Sequence, residues 1–169
     1  MVIRVSEIPE DGLKFEGPEA FREPFQDRSW RLEDVELAVQ KEGDTVFVDG
    51  RLRTRVPQVC SRCVESYEAR VEADVHTRFV PAPARGEERE LGADDLESDV
   101  YDNDQIDLDA LLETEAALGL SMKPLCRDDC RGLCPTCGAN RNVAPCACAP
   151  SSKDPRWAAL KTLAGRLNR

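Results

Sequence analysis

Apolar and polar residues alternate through "TVFVDGRLRTRVPQV" (45–59), with Val46, Val48 and Leu52 on one side and Arg51, Arg53 and Arg55 on the other. A period of two marks a strand with one buried face. "YEARVEADVHTRFV" alternates likewise through Tyr67, Ala69, Val71, Ala73, Val75 and Thr77. "WRLEDVELAVQ" carries Leu32, Val35, Leu37 and Val39, but its alternation is regular only in the second half. "KEGD" supplies a hairpin turn, since Gly43 tolerates positive φ. Three successive strands over about 31–80 predict an antiparallel meander. Residues 1–30 read as irregular, with a short strand at "VIRV" and turns at Pro9, Gly12, Gly17, Pro18 and Pro24.

The period changes in "IDLDALLETEAALGL", where Leu108, Leu111, Leu112 and Leu118 form a stripe near 3.6 residues. Asp107 is the expected N-cap and Gly119 the exit of a helix over about 107–119. "DPRWAALKTLAGRLN" predicts a second helix: Asp154 caps it, Pro155 takes its first position, and Trp157, Leu160, Leu163 and Leu167 share one face. Trp157 therefore reads as core rather than as a stacking platform. Between sheet and first helix, about 82–105, lies an acidic stretch. Eleven acids and one base fall between Glu87 and Asp109, the composition of a solvated loop. The fold class expected is α+β: an antiparallel meander, a following helix, a C-terminal cysteine-rich zinc module and a terminal helix. The expected organisation is an acidic body, 1–121, and a basic module, 122–169, packed as one unit.

Charge sharpens that division. The whole chain of 169 residues carries −10, yet residues 1–121 hold 14 Lys and Arg against 30 Asp and Glu, while 122–169 hold 9 against 3. Such a tail either folds onto the body or meets an anionic partner. No apolar run reaches the roughly 20 residues of a membrane helix, and "MVIRVSEIPEDG" lacks the basic and apolar regions of a secretory signal. A cytoplasmic location is expected, with no membrane partner, and reducing conditions there disfavour disulfides.

Eight cysteines fall in four pairs: Cys60 and Cys63 in "CSRC", Cys126 and Cys130 in "CRDDC", Cys134 and Cys137 in "CPTCG", Cys146 and Cys148 in "CAC". Zinc takes four thiolates at tetrahedral corners, and two cysteines with two residues between them turn both sulfurs toward one ion. In "CPTCG" the proline presets the turn and Gly138 permits the backbone just beyond it. Two ligand sets are expected, holding one or two Zn2+. The safer is Cys134, Cys137, Cys146 and Cys148; the other, Cys60, Cys63, Cys126 and Cys130, would staple the tail onto the sheet. A thioredoxin-like redox pair fits poorly, because its C-x-x-C opens a helix after a strand. Arg62, Lys123, Arg127, Arg131 and Arg141 lie near these sulfurs in sequence and are expected to offset thiolate charge.

"VCSRCVE", then "IDLDALLETEAALGLSMKPLCRDDCRGLCPTCGANRN", "CAC" and "DPRWAALKTL", in that order, resemble the YceD family of bacterial proteins from about Val35 to Leu167. The chain departs from the family pattern at Ser121, where many relatives have proline, and at Arg141, where an apolar residue is usual. The resemblance implies a role in large-subunit ribosomal RNA accumulation, processing or assembly; it brings no catalytic residues.

An enzyme is not expected. His76, the lone histidine, reads as a surface strand residue, and there is neither a phosphate-binding glycine loop nor a nucleophile elbow. Zinc closed by four sulfurs leaves no open position for catalysis, and no small-molecule substrate is inferred. The chain is expected to bind large-subunit ribosomal RNA or a basic ribosomal protein. Candidate phosphate contacts are Arg127, Arg131, Arg141, Lys153, Arg156, Lys161, Arg166 and Arg169. An alternative of another class is a zinc-gated redox sensor or chaperone, in which oxidation expels the metal and exposes apolar surface.

Overall fold

In the computed structural model, β4 (Thr45–Val59) pairs along its whole length with β3 (Arg31–Glu42) on one side and β5 (Ser66–Pro81) on the other. The structure describes residues 1–21, 24–83, 92 and 98–148. The expected C-terminal helix and the acid-rich stretches 84–91 and 93–97 lie outside the described residues. Two compact units are present: one comprises Met1–Cys60 with Glu65–Cys126, the other Ser61–Val64 with the chain from Arg127 onward.

The first unit is built on a five-stranded sheet in the order β2-β3-β4-β5-β6, with β2 at Leu13–Glu16 and β6 at Ser98–Tyr101. The inward positions of β4 are Val46, Val48, Leu52, Thr54 and Val56, none more than 2% exposed. Each aliphatic side chain buried this way contributes about 1.5–3 kcal/mol. Thr54 satisfies its hydroxyl by donating to the Arg31 carbonyl at 2.8 Å. Val35, Leu37 and Val39 of β3 and Val75 and Phe79 of β5 complete the layer. Gly43 turns the first hairpin at φ +62°.

Helix α1, Leu108–Leu118, covers this layer. The Asp107 carboxylate accepts from the Asp109 N–H at 3.0 Å, which caps the first turn. The buried face is Leu108, Leu111, Leu112 and Ala116. Leu118, expected on the stripe, is instead 74% exposed, because Ala116 occupies the position facing the core. Gly119 takes the expected exit position, and close packing adds a reason for glycine there. Its φ of −70° is right-handed, but a Cβ there would sit 2.6 Å from Val71 Cγ1, so closeness to β5 demands glycine.

The sheet is larger than the meander expected from the sequence. β1 (Val2–Arg4) forms at the expected "VIRV", the rest of the segment read as irregular adds β2, and the acidic segment contributes β6 and β7 (Gln105–Asp107). β1 pairs antiparallel with β7, Ile3 opposite Ile106. β6 pairs parallel with β5, so the five-stranded sheet is mixed. A charged four-residue strand holds there because the Arg78 guanidinium reaches Ser98 Oγ at 2.6 Å and the Tyr101 hydroxyl donates to the Asp44 carbonyl at 2.8 Å.

The outward face of the sheet is a charge lattice. Arg51 meets Glu36 at 2.8 Å, Arg53 stands 3.6 Å from both Asp34 and Glu72, Arg55 pairs with Glu33 and Glu68, and Arg70 reaches Glu33 at 3.3 Å. Such exposed pairs contribute about 0–1 kcal/mol each, but they occupy the arginines. His76 lies exposed on β5, its Nδ1 2.9 Å from Asp49 Oδ1. That hydrogen bond, followed by the nearby charges of Asp49, Asp74 and Glu115, raises its pKa above the usual 6.5.

Candidate metal centre

Among its described residues the second unit has almost no aliphatic interior. Its buried side chains among the described residues are those of Cys63, Cys130 and Cys134. Its form comes from turns. Cys134 N–H donates to the Ala139 carbonyl at 2.8 Å, Gly138 N–H to Cys134 at 2.9 Å and Arg141 N–H to Gly132 at 3.0 Å, closing a tight hairpin around "CPTCG". Gly138 adopts φ +72°, the left-handed conformation that the sequence anticipates just after the second cysteine. In "CSRCV" that place belongs to Val64 at φ +61°, a conformation unfavourable for a β-branched residue.

Two groups of four sulfurs result. Those of Cys134, Cys137, Cys146 and Cys148 lie within 4.8 Å of one another, as do those of Cys60, Cys63, Cys126 and Cys130. A tetrahedral ion with bonds of about 2.3 Å sets sulfurs about 3.8 Å apart, so each group can close on one ion by small rotations. Four thiols with no carboxylate or imidazole among them suit a soft or borderline cation. None of the eight cysteines is in a disulfide. Cys60, Cys63, Cys130 and Cys134 are 1–6% exposed, whereas Cys137 is exposed.

The crowding of sulfurs shows in their proton affinities. Backbone N–H groups of Cys137 and then Thr136, with further help from Cys146, hold the Cys134 thiol down to about 6. Hydrogen bonding to Cys137, followed by burial, pushes Cys148 up to about 12. Within the group, Cys134 is thus the easier of the two sulfurs to ionise and Cys148 the harder.

Two side chains organise the surrounding loops. The Arg62 guanidinium donates to the carbonyls of Cys130 at 3.0 Å and Asp128 at 3.2 Å, and its own carbonyl accepts from Leu133 N–H at 2.9 Å. A Cβ on Gly132 would come within 2.8 Å of that carbonyl. Sequence reasoning missed Asn142. Its Nδ2 donates to Cys130 Sγ at 3.3 Å and to Asn140 Oδ1 at 3.0 Å, while its Oδ1 accepts from Arg131 N–H at 2.8 Å and Arg127 Nη2 at 2.9 Å. The doubled asparagines in "ANRN" were the available signal, since Asn competes for backbone groups in turns. Groups that orient a ligand typically change metal affinity by about 10–100-fold. Asn142→Ala is accordingly expected to weaken metal at the Cys130 group by that factor in chelator competition, with the Cys134 group unchanged; equal affinities at both would remove this role.

Of the basic candidates, Arg127 is engaged by Asn142 and lies 3.2 Å from Asp129. Arg131 and Arg141 are exposed. Lys153, Arg156, Lys161, Arg166 and Arg169 lie outside the described residues. No helix among the described residues is long and apolar enough to cross a membrane.

The family model described as large ribosomal RNA subunit accumulation protein YceD matches residues 48–164, a span that includes all eight cysteines. The chain belongs to the YceD family. An uncharacterized protein of Mycobacterium tuberculosis is 33% identical to it over 139 residues, covering 79% of this chain and 63% of the relative. An uncharacterized Mycobacterium leprae protein is 30% identical over 129 residues, or 75% and 57% of the two chains. A maize YceD protein, named large ribosomal RNA subunit accumulation protein YCED homolog 1, chloroplastic, is 30% identical over 142 residues, 69% of this chain and 48% of that one. The chain therefore spans less than two thirds of the length of these YceD relatives. No solved structure matches it.

Proposed function

We propose that this chain is a non-enzymatic zinc-binding factor that supports accumulation of large-subunit ribosomal RNA in the bacterial cytoplasm, contacting that RNA through its basic C-terminal part. The observation that carries the proposal is a unit whose buried side chains, among the described residues, are cysteines, in a sequence segment with 9 basic and 3 acidic residues. Zinc held by Cys134, Cys137, Cys146 and Cys148, and by Cys60, Cys63, Cys126 and Cys130, would fix the backbone of this unit without an open coordination position for catalysis. Arg131, Arg141 and the five basic residues from Lys153 to Arg169 are the phosphate contacts in this reading.

Neutralising six or more phosphates makes binding fall by about 10³-fold or more between 50 and 200 mM salt. Filter binding of the zinc-loaded chain to purified large-subunit ribosomal RNA is expected to follow that slope, and Arg131→Ala with Arg141→Ala to flatten it. A salt-independent affinity, or none, would sink RNA binding by charge.

A second reading has a specific observation in its favour. The arginines of the sheet face are matched to acids, and Asp74 makes no ion pair with any described residue. In this reading the acidic body holds a basic ribosomal protein.

A further inference from the structure

We propose that Cys137 is the sulfur at which oxidants enter this molecule. Its group, with Cys134, Cys146 and Cys148, then acts as a reversible thiol switch, while Cys60, Cys63, Cys126 and Cys130 stay reduced. The order of oxidation rests on access to the sulfurs, and only its effect on RNA rests on the proposed function. An ion at each group would hold all eight sulfurs as thiolates, so ionisation does not separate the two groups. Access does, because thiol oxidation follows exposure as well as thiolate character.

Cys137 sits in the turn of the hairpin closed by the Cys134 and Gly138 N–H groups. Its neighbours Pro135, Thr136, Gly138 and Ala139 are all exposed, and a Cβ added to Gly138 would meet nothing within 4 Å. The turn is therefore open to a small oxidant from the solvent. Cys148 is exposed too, Cys146 is half-buried and Cys134 is buried. The other group is closed in. Cys60, Cys63 and Cys130 are 1–4% exposed, and Cys126 is half-buried. Asn142 Nδ2 also stands 3.3 Å from Cys130 Sγ, and the Arg62 guanidinium is held on the Cys130 carbonyl at 3.0 Å.

The reaction takes a hydroperoxide, of which hydrogen peroxide is the simplest. The Cys137 sulfur attacks one peroxide oxygen: an S–O bond forms, the O–O bond breaks, and hydroxide leaves and takes a proton to give water. A second sulfur of the group then attacks the sulfenic sulfur of Cys137, forming the S–S bond and releasing the second water. Two thiols lose two electrons in all, and one peroxide gains them. Cys148 is the best-placed second sulfur, since its thiol is hydrogen-bonded to Cys137 and both residues are exposed. The disulfide withdraws two of the four sulfurs, so this group gives up its ion. Arg141 N–H meets the Gly132 carbonyl at 3.0 Å at the base of the same hairpin, beside Arg131. Release of the hairpin therefore disperses two of the proposed phosphate contacts.

The test uses the full zinc-loaded chain, limiting hydrogen peroxide, dimedone to trap sulfenic acid, and mass-spectrometric mapping of every thiol. No substituted chain is needed, since replacing a ligand would disturb the metal as well. Dimedone is expected to label Cys137 about tenfold faster than Cys60, Cys63, Cys126 or Cys130. Without dimedone, Cys137 is expected in a disulfide within its own group, with one zinc released before the other, and dithiothreitol with added zinc is expected to reverse both changes. Binding of the oxidised chain to purified large-subunit ribosomal RNA is expected to fall about tenfold or more. Earlier or equal labelling of the Cys60 group, or release of both zincs together, overturns the proposal. Unchanged RNA affinity after oxidation of Cys137 overturns the regulation. If the reduced chain never binds the RNA while Cys137 still leads, the RNA reading fails and the thiol switch stands. If the chain purifies folded without metal, the zinc reading fails, and the same labelling order still decides for or against Cys137.

Discussion

A Cys134→Ser chain is expected to bind one zinc where the unaltered chain binds two, by elemental analysis of the purified, reduced protein. Cys60→Ser is expected to do the same, and the double substitution to leave none. The reason lies in how little else holds the described residues of the second unit. Among them the buried side chains are sulfur-bearing and the remaining order is a set of turns, whereas a domain of this size usually needs disulfides or metal to offset chain entropy. Zinc binding to such sites is worth about 10–16 kcal/mol at neutral pH, so loss of one thiolate in four unlocks the hairpin from Gly132 to Arg141. Chelation is expected to collapse the amide resonances of 127–148 toward random-coil positions while the Val46–Leu52 core keeps its dispersion. A reduced, metal-free chain with an unchanged spectrum would refute metal as the organiser of this unit. One zinc unaffected by Cys60→Ser would remove the group at Cys60, Cys63, Cys126 and Cys130.

The elements legible in the sequence were those with a period. β3, β4 and β5 announced themselves by alternation, and α1 by its leucines and its Asp107 cap. Even the fault in the pattern was informative: the irregular first half of "WRLEDVELAVQ" coincides with a register shift between Leu32 and Asp34 on β3, where an extra residue breaks alternation. What escaped has no period. β2, β6 and β7 are three or four residues long and are held by partners distant in sequence; Arg78 on Ser98 is one example. Leu118 fits a helical stripe but lies at the end of α1, where Gly119 rather than a leucine meets β5. At the cysteines, spacing suggested which sulfurs belong together, because soft ligands at short separation leave few alternatives. The groups that steer the loops, Arg62 through its carbonyl contacts and Asn142 through Cys130 Sγ, are ordinary polar residues that only the fold singles out.

Gly50→Ala is expected to destabilise the first unit by about 3 kcal/mol or more, the upper range for overpacking, and to lower its melting temperature by about 10 °C. Nothing in "VFVDGRLR" marks this glycine as special, since it reads as a weak point in an otherwise good strand. In the sheet it lies opposite Leu37 of β3 and Val75 of β5, and an added Cβ would fall 1.9 Å from the Glu36 carbonyl oxygen. That oxygen belongs to the backbone of β3 and cannot rotate aside, so β3 and β4 must separate at the middle of their ladder. Gly43→Ala provides the contrast. It meets nothing within 4 Å, and its cost comes from φ +62° alone, about 1 kcal/mol. Thermal unfolding of the two variants is expected to rank Gly50→Ala well below Gly43→Ala. The reverse order would mean that β3 and β4 yield easily at their centre.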